Sequence, residues 1–196
     1  MTPPPMSPSP HDEQPHGEPS RSEPPQDEPH RQGPADTTAP NDTVPLGEDV
    51  RALLDGFPDV GDDEQGFPFF TVDDQGYPHA ALLSRAELQP GPGTGTLFAV
   101  LAGTRTRANL ARDGRAALLA VHGAYCHRVK LRLVESRDHG DLLGCVFAVT
   151  ERAPDSVGIT LQPLGFRTTG ELAHAEQWKR SAAILAELAA AYDGPA

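Results

Sequence analysis

The sequence predicts a mainly β domain of antiparallel strands, a barrel or a sandwich, with a few short helices. Short runs rich in β-branched and aromatic residues follow one another at hairpin spacing, separated by turn-forming residues. In the stretch "VKLRLVE", Val129, Leu131 and Leu133 alternate with residues that face the other way, as in a strand covered on one face. The last apolar stretch instead has helical spacing. This order of elements argues against a parallel sheet with helices between its strands.

The N-terminal segment differs in composition from the rest of the chain. Its 45 residues hold 13 of the 21 prolines, eight acidic and two basic residues, and almost no large apolar side chains. Such a segment cannot bury enough apolar surface to offset the entropy lost on ordering. We therefore expect a disordered, proline-rich acidic tail over residues 1–45. Residues 46–196 form one folded domain, which is long enough to have a proper core.

The folded part begins with a short helix and a β-hairpin. The helix is predicted over residues 46–58, where glycine and proline end it. The hairpin has strands over residues 67–72 and 77–84, joined by the turn "DQG".

Four more strands are predicted after the hairpin. The glycine-rich stretch "QPGPGTGT" (residues 89–96) precedes a strand, whereas the glycines of a dinucleotide-binding fingerprint follow one. We therefore interpret this stretch as a flexible hairpin loop. Residues 156–171 are ambiguous between a strand and a short helix. The four strands are predicted over residues 97–101, 116–121, 125–135 and 142–149.

The chain is predicted to end in an amphipathic helix. Trp178, Ala182, Leu185, Leu188 and Tyr192 recur at helical spacing and form one apolar stripe. We expect this stripe to pack in the core or at a dimer surface, rather than to bind a cofactor.

The stretch "LAGTRTRANLARDG" gathers arginines at the start of a predicted short helix. Thr104 is predicted to be the N-cap, which places Arg105 and Arg107 in the first turn. Cations there oppose the helix dipole, at a cost of roughly 0.3–1 kcal/mol each when exposed. A bound phosphate would reverse that effect, with the first-turn amides, both guanidinium groups and the hydroxyls of Thr104 and Thr106 as its ligands. Alternatively, the arginines are solvated or paired with acids such as Asp73, and the residues alone leave both interpretations open.

Charge and cysteine content limit the partners and the compartment. The formal net charge is −12 with no basic stripe, so nucleic acid is not an expected partner. No apolar run reaches the length of a membrane span, and the N-terminus lacks an apolar signal region. The two cysteines do not make a disulfide framework. We therefore expect a cytoplasmic protein without a membrane partner.

Neither a metal site nor a catalytic residue is predicted. His122, His127 and His139 match no zinc-ligand spacing with the cysteines. Cys126 and His127 are adjacent in a strand, so their side chains point to opposite faces and do not form a nucleophile–base pair. Ser84 lacks the flanking glycines of a hydrolase elbow.

Three segments in succession resemble the pyridoxamine 5'-phosphate oxidase-like flavoproteins of the FMN-binding split-barrel superfamily. "FPFFTVDDQGYPHAALLSR" resembles the first hairpin of that family. "GTLFAVLAGTRTRANLARDGRAALLAV" is similar to its strand, phosphate loop, "NL" helix and next strand, and "HRVKLRLVE" to the long strand that follows. The resemblance covers about half of the folded part. It implies an antiparallel split β-barrel that binds FMN.

The family's cofactor contacts can be transferred position by position. Thr104 and Arg105 match the Ser and Arg of the phosphate loop, while Thr106 replaces its Lys and Arg107 supplies a charge one step later. In the return strand of the hairpin, His79 and Ser84 stand where the oxidases have Arg and Lys. Arg128 aligns near a Gln that contacts FMN in the oxidases. The cofactor-binding residues implied by the resemblance are His79, Ser84, Thr104, Arg105, Thr106, Arg107 and Arg128.

The resemblance implies an FMN-dependent oxidoreductase that acts on an unidentified small molecule. It also implies a homodimer with the cofactor between the subunits, and a deazaflavin as the alternative cofactor. The family's oxidases proper end in a segment with paired basic residues and a histidine, whereas this chain ends in an alanine-rich helix. Pyridoxal phosphate synthesis is therefore not predicted. Two alternatives are a flavin- or anion-binding module without turnover and a dimeric barrel that has lost its cofactor.

Overall fold

A computed structural model of the chain describes residues 43–192. The predicted disordered tail lies outside the described residues except for its last three. Of these, Val44 donates its backbone N–H to the carbonyl oxygen of Val149 at 2.9 Å, so this part of the chain already lies along the sheet.

The described residues form four helices and nine strands. The helices are α1 (Glu48–Leu54), α2 (Thr104–Asp113), α3 (Gly170–Ala175) and α4 (Trp178–Ala191). The strands are β1 (Asp63–Gln65), β2 (Phe67–Val72), β3 (Pro78–Leu83), β4 (Leu88–Pro90), β5 (Thr96–Leu101), β6 (Arg115–His122), β7 (Tyr125–His139), β8 (Leu142–Ser156) and β9 (Gly165–Arg167).

Seven of the strands form one antiparallel sheet in the order β3-β2-β6-β7-β8-β5-β4, and β1 pairs with β9 in a separate ribbon. The long central strands β7 and β8 have register shifts after Lys130 and after Leu133. Such bulges bend a strand and increase its twist, so the sheet curls into a half-barrel. This confirms the predicted fold class, a mainly β antiparallel split barrel with a few short helices and an amphipathic helix near the C-terminus.

The core has two parts, one on each face of β5. Leu97, Ala99 and Leu101 belong to the main cluster, which includes Phe69 and Phe147. The alternate residues of β5 pack in a second cluster under α4, which contains Phe98, Val100, Ile184, Leu185 and Leu188. All six residues of β5 are therefore buried. The apolar stripe of the C-terminal helix therefore packs in the core, which is one of the two positions predicted for it.

Several boundaries differ from those predicted. The predicted glycine-rich loop includes most of β4, so its glycines form the turn of a β4–β5 hairpin. Strands β7 and β8 continue past their predicted ends, because they pair with each other from Tyr125 opposite Ser156 to His139 opposite Leu142. The ambiguous stretch contains β9 and the first two residues of α3. Helices α3 and α4 are separated at Gln177, which has a left-handed backbone (φ 52°).

Helix α4, with 14 residues, is the longest helix among residues 43–192, and no helix in this range could cross a membrane.

Candidate functional site

Helix α2 begins where the buried strand β5 leaves the core. Gly103 is the extended N-cap residue, and no side chain caps the helix. The prediction that Thr104 is the N-cap is wrong, because the chain turns helical one residue earlier and Thr104 is the first residue of the helix. The helix ends as predicted at Gly114, whose left-handed backbone (φ 69°) suits glycine. The first-turn N–H groups are thus available to a ligand.

The hydroxyl of Thr106 is the unusual feature of this helix end. Thr106 is 2% exposed, and its Oγ1 has no hydrogen-bond partner within residues 43–192. A β-carbon built on Gly103 would lie 3.3 Å from this oxygen, so the hydroxyl lies against the start of the helix. Leaving a buried hydroxyl unpaired costs about 1–3 kcal/mol. A ligand oxygen at the helix end would satisfy it.

The two first-turn arginines have different surroundings. Arg105 is exposed and has no hydrogen-bond or ion-pair partner in the described part of the chain. Arg107 is partly buried and lies 3.5 Å from the exposed carboxylate of Asp138 in β7. Neither arginine pairs with Asp73, whose carboxylate accepts from the backbone N–H groups of Gln75 and Tyr77 within its own turn.

The second half of α2 is hydrogen-bonded to the first hairpin. The Nδ2 of Asn109 donates to Oγ1 of Thr71 at 2.9 Å, and both residues are buried. Arg112 donates to the side-chain oxygen of Asn109 at 3.2 Å and to the carbonyl oxygen of Val72. Arg105 lies one turn before Asn109 on the hairpin side, whereas Arg107, two residues later, lies on the side of β7. The two arginines therefore flank the helix end from different directions.

His79 lies on the hairpin that is hydrogen-bonded to α2. It lies on β3 directly opposite Thr71, the residue that binds Asn109 of α2, and it is partly exposed. The structure therefore places the run from Thr104 to Arg107 in the first half of α2, and His79 on the hairpin to which the second half of α2 is bonded.

Ser84 lies at the other end of β3 from His79. It is 4% exposed and lies just beyond β3, about 17 Å along the strand direction from His79. Its hydroxyl donates to Oε2 of Glu87 at 3.0 Å and accepts from the N–H of Ala86 at 3.3 Å. Both hydrogen bonds of the Ser84 hydroxyl are therefore made within the turn between β3 and β4.

Arg128 also lies elsewhere in the chain. It is opposite Leu119 in β6, four positions along β7 from Arg132. Arg132 is opposite Arg115, the first residue of β6 after α2. The separation between Arg128 and Arg132 along the strand is about 13 Å. Arg128 is exposed and forms an ion pair with Asp155 of β8 at 2.8 Å.

Burial shifts the pKa values of a cysteine and a histidine outside the start of α2. Burial raises the pKa of Cys145 to about 12, so the thiol stays protonated and is a poor nucleophile. Burial also lowers the pKa of His127, whose Nε2 lies 3.7 Å from Asp49 and whose Nδ1 lies 3.4 Å from Nη1 of Arg152.

Glu87 and the cavity beside it are not among the sites predicted from the sequence. This cavity of about 360 Å³ lies between the end of β3 and the segment from β9 to the start of α4. Burial raises the pKa of Glu87 to about 7, against the hydrogen bonds from Ser84. The available signal was the spacing Ser84-x-x-Glu87, which is typical of a reciprocally bonded turn.

No protein-family model matches this sequence, and no curated protein matches it. Several solved structures resemble the chain. HupZ of Group A Streptococcus shares 14% identity over 60% of this chain and 99% of its own, with a TM-score of 0.45. The flavin reductase of styrene monooxygenase from Pseudomonas putida S12 shares 11% over 60% of this chain and 91% of its own, with a TM-score of 0.41. An F420 reductase shares 10% over 45% and 89%, with a TM-score of 0.39. Similarities at this level assign neither a ligand nor an activity to the chain.

Proposed function

We propose that this chain is a flavoprotein oxidoreductase that binds FMN and acts on a small molecule. The observation that carries the proposal is the buried, unpartnered hydroxyl of Thr106 at the uncapped start of α2, beside the unpaired Arg105. The sequence resemblance to the split-barrel flavoproteins supports the same site.

The residues at the start of α2 fit a phosphate group. The first-turn N–H groups and the hydroxyls of Thr104 and Thr106 would donate to its oxygens, and the helix dipole favours the negative charge. Arg105 and Arg107 would approach from opposite sides and neutralise it. Arg107 would exchange its contact with Asp138, which costs little because an exposed pair contributes only about 0–1 kcal/mol.

FMN supplies the redox chemistry when it is bound, while the chain binds and orients it. With the phosphate at α2, the flavin would extend along β3 past His79. A deazaflavin is the alternative cofactor, because the residues at α2 recognise a phosphate and not the ring system.

We also propose that the chain forms a homodimer through the β3 side of the sheet. Strand β3 is an edge of the sheet, and Val72, Tyr77 and Leu82 of this hairpin are 43%, 66% and 56% exposed. An uncovered edge with apolar side chains favours association with another chain. Light scattering of the purified protein should give twice the chain mass, and a monomer at all concentrations would contradict the dimer.

Cofactor binding is tested by absorbance spectra and by titration with FMN and, separately, riboflavin, which lacks the phosphate. We expect FMN to bind at least about tenfold tighter than riboflavin, since a charge-assisted phosphate contact is worth about 1.5–3 kcal/mol. The double variant Arg105→Ala, Arg107→Ala should remove this difference, whereas the control Lys179→Ala, at an exposed position of α4, should keep it. A protein that takes up neither FMN nor a deazaflavin contradicts the proposal and favours a barrel without a cofactor.

Catalysis is a separate question from binding. We expect a nicotinamide cofactor to reduce the bound flavin and an added acceptor to reoxidise it. If the flavin binds but stays oxidised with every donor, the chain is a flavin-binding module without turnover.

A further inference from the structure

The cavity beside Glu87 has the size and walls of a small-molecule site. Its volume of about 360 Å³ lies in the range of ligand pockets. Most of its wall is apolar and comes from parts of the chain distant in sequence, namely Leu82 at the end of β3, Phe166 in β9, Leu172 in α3 and Trp178 in α4. None of the residues at the start of α2 lines it, so it is separate from the proposed phosphate site.

The charged groups of this cavity are predominantly acidic. Glu87 accepts hydrogen bonds from the N–H and the hydroxyl of Ser84, at 2.9 and 3.0 Å, and has no cationic partner among residues 43–192. Glu176, at the end of α3, also lines the cavity and has no ion pair within this range. The one basic side chain of the wall, Arg167, is mostly exposed and lies 3.3 Å from Asp63. The cavity therefore offers two uncompensated carboxyl groups.

We propose that this cavity binds an organic amine with an aromatic or other apolar skeleton. The ammonium group would lie near Glu87 and Glu176, and the skeleton would pack between Phe166, Leu172 and Trp178. An anionic ligand would be repelled by the two carboxyl groups. A metal ion is not supported, because no group of three His, Cys, Asp or Glu side chains in residues 43–192 is placed to hold one.

Amine binding should be coupled to the ionisation of Glu87. Burial and the nearby Glu176 raise the pKa of Glu87 to about 7, so at pH 6 most molecules carry the neutral acid. An ammonium ligand favours the carboxylate, and the proton goes to the solvent. The ligand itself stays charged throughout, because an alkyl amine titrates near the pKa of lysine, about 10.

Trp178, the single tryptophan of the chain, lines the cavity and provides the readout. The full chain is titrated with 2-phenylethylamine, with the matched neutral 2-phenylethanol and with phenylacetate, while the Trp178 emission is recorded. Calorimetry gives the same constants where a bound chromophore quenches this emission. We expect saturable binding of the amine, at least about tenfold tighter than that of the alcohol at pH 8. Binding of the amine should be about tenfold weaker at pH 6 than at pH 8.

Glu87→Gln should lose the pH dependence and most of the preference for the amine over the alcohol, with only the contribution of Glu176 left, while the control Asp74→Asn, in the exposed turn of the first hairpin, behaves as wild type. Should Glu87→Gln not fold, the wild-type pH series tests the proposal, and equal amine affinity at pH 6 and pH 8 would overturn it. Glu176→Gln should then also reduce the preference for the amine. The proposal is overturned if the wild type binds amine and alcohol equally, if folded Glu87→Gln keeps the full wild-type preference for the amine, or if no saturable amine binding occurs up to about 10 mM. The titration does not involve the FMN phosphate site, so the two proposals can fail separately.

Discussion

The carboxylate of Glu87 accepts two hydrogen bonds from one residue, from the backbone N–H of Ser84 at 2.9 Å and from its hydroxyl at 3.0 Å. The backbone N–H of Glu87 in turn donates to the carbonyl oxygen of Ser84 at 3.0 Å. This reciprocal pair closes the turn between β3 and β4 and holds a titratable group at the cavity wall. Its ionisation therefore affects both the turn and the cavity.

The first prediction concerns the pH dependence of stability. Burial raises the pKa of Glu87 to about 7 from 4.5, so between these values the folded chain binds more protons at this group than the unfolded chain. The contribution of Glu87 to stability is therefore largest below pH 4.5 and is lost as the pH rises through about 7. Relative to Glu87→Gln, the wild type should lose on the order of 2–3 kcal/mol of unfolding free energy between pH 4.5 and pH 8. Urea denaturation of both proteins at several pH values measures this, and parallel pH profiles would contradict it.

The second prediction separates the structural and binding roles of Thr106. Thr106→Val keeps the shape of the side chain and removes the unpaired buried hydroxyl, so the unfolding free energy should rise by about 1 kcal/mol. If the hydroxyl serves the phosphate, affinity for FMN should fall about fivefold or more while affinity for riboflavin is unchanged. Thr106→Ser, which keeps the hydroxyl, is the matched control and should bind FMN like the wild type. Equal FMN affinity in all three proteins would remove Thr106 from the site.

The third prediction concerns the contact between β8 and α4. A β-carbon on Gly144 would lie 2.9 Å from Cγ2 of Ile184 and 3.4 Å from Cδ1 of Leu188, so Gly144→Ala should force α4 away from the sheet. We expect a loss of about 1–3 kcal/mol in unfolding free energy. Ile184→Ala alone should also destabilise, by about 2–4 kcal/mol. The double variant should lose less than the sum, because the shortened side chain makes room for the new methyl group. Additive losses in thermal or urea denaturation would contradict the contact.

The fourth prediction concerns the ion pair between Arg85 and Glu64. Glu64 is 6% exposed, and Arg85 binds both of its carboxylate oxygens and also donates to the carbonyl oxygen of Asp55 at 3.0 Å. Glu64→Gln leaves a guanidinium group without its charge partner and should cost about 2–4 kcal/mol. The exposed pair of Lys130 and Glu151 provides the control, and Glu151→Gln should change stability by less than about 1 kcal/mol. Equal effects of the two substitutions in urea denaturation would contradict this difference.

The features that could be predicted from the sequence depend on neighbouring residues. The strands β2 and β3 lie within one residue of their predicted bounds, because the alternation of side chains and the turn between them are local. The end of α2 at Gly114 was likewise local, since glycine suits its left-handed backbone. The first residue of the helix was misplaced by one, because the direction in which β5 leaves the core decides whether Gly103 or Thr104 is extended.

The candidate sites could be predicted only in part, because some of their residues are distant from one another in the sequence. The run from Thr104 to Arg107 is contiguous, so its residues suggest a phosphate site without knowledge of the fold. Glu87 gains its raised pKa from burial, and the cavity wall beside it includes Phe166 and Trp178, which come from the other end of the domain. No local pattern in the sequence contains that juxtaposition.

The burial of β5 on both faces has a consequence for how the chain is made. One face of the strand packs on the rest of the sheet, but Phe98 and Val100 are covered only when α4 brings Ile184 and its neighbours. At roughly 5–20 residues per second, a ribosome needs about 4–17 s to reach Ile184 after Phe98. During that interval the nascent chain presents an apolar strand with one uncovered face, which a chaperone can bind and which another nascent chain can pair with. We therefore expect the yield of native protein in cells to depend on how quickly α4 docks.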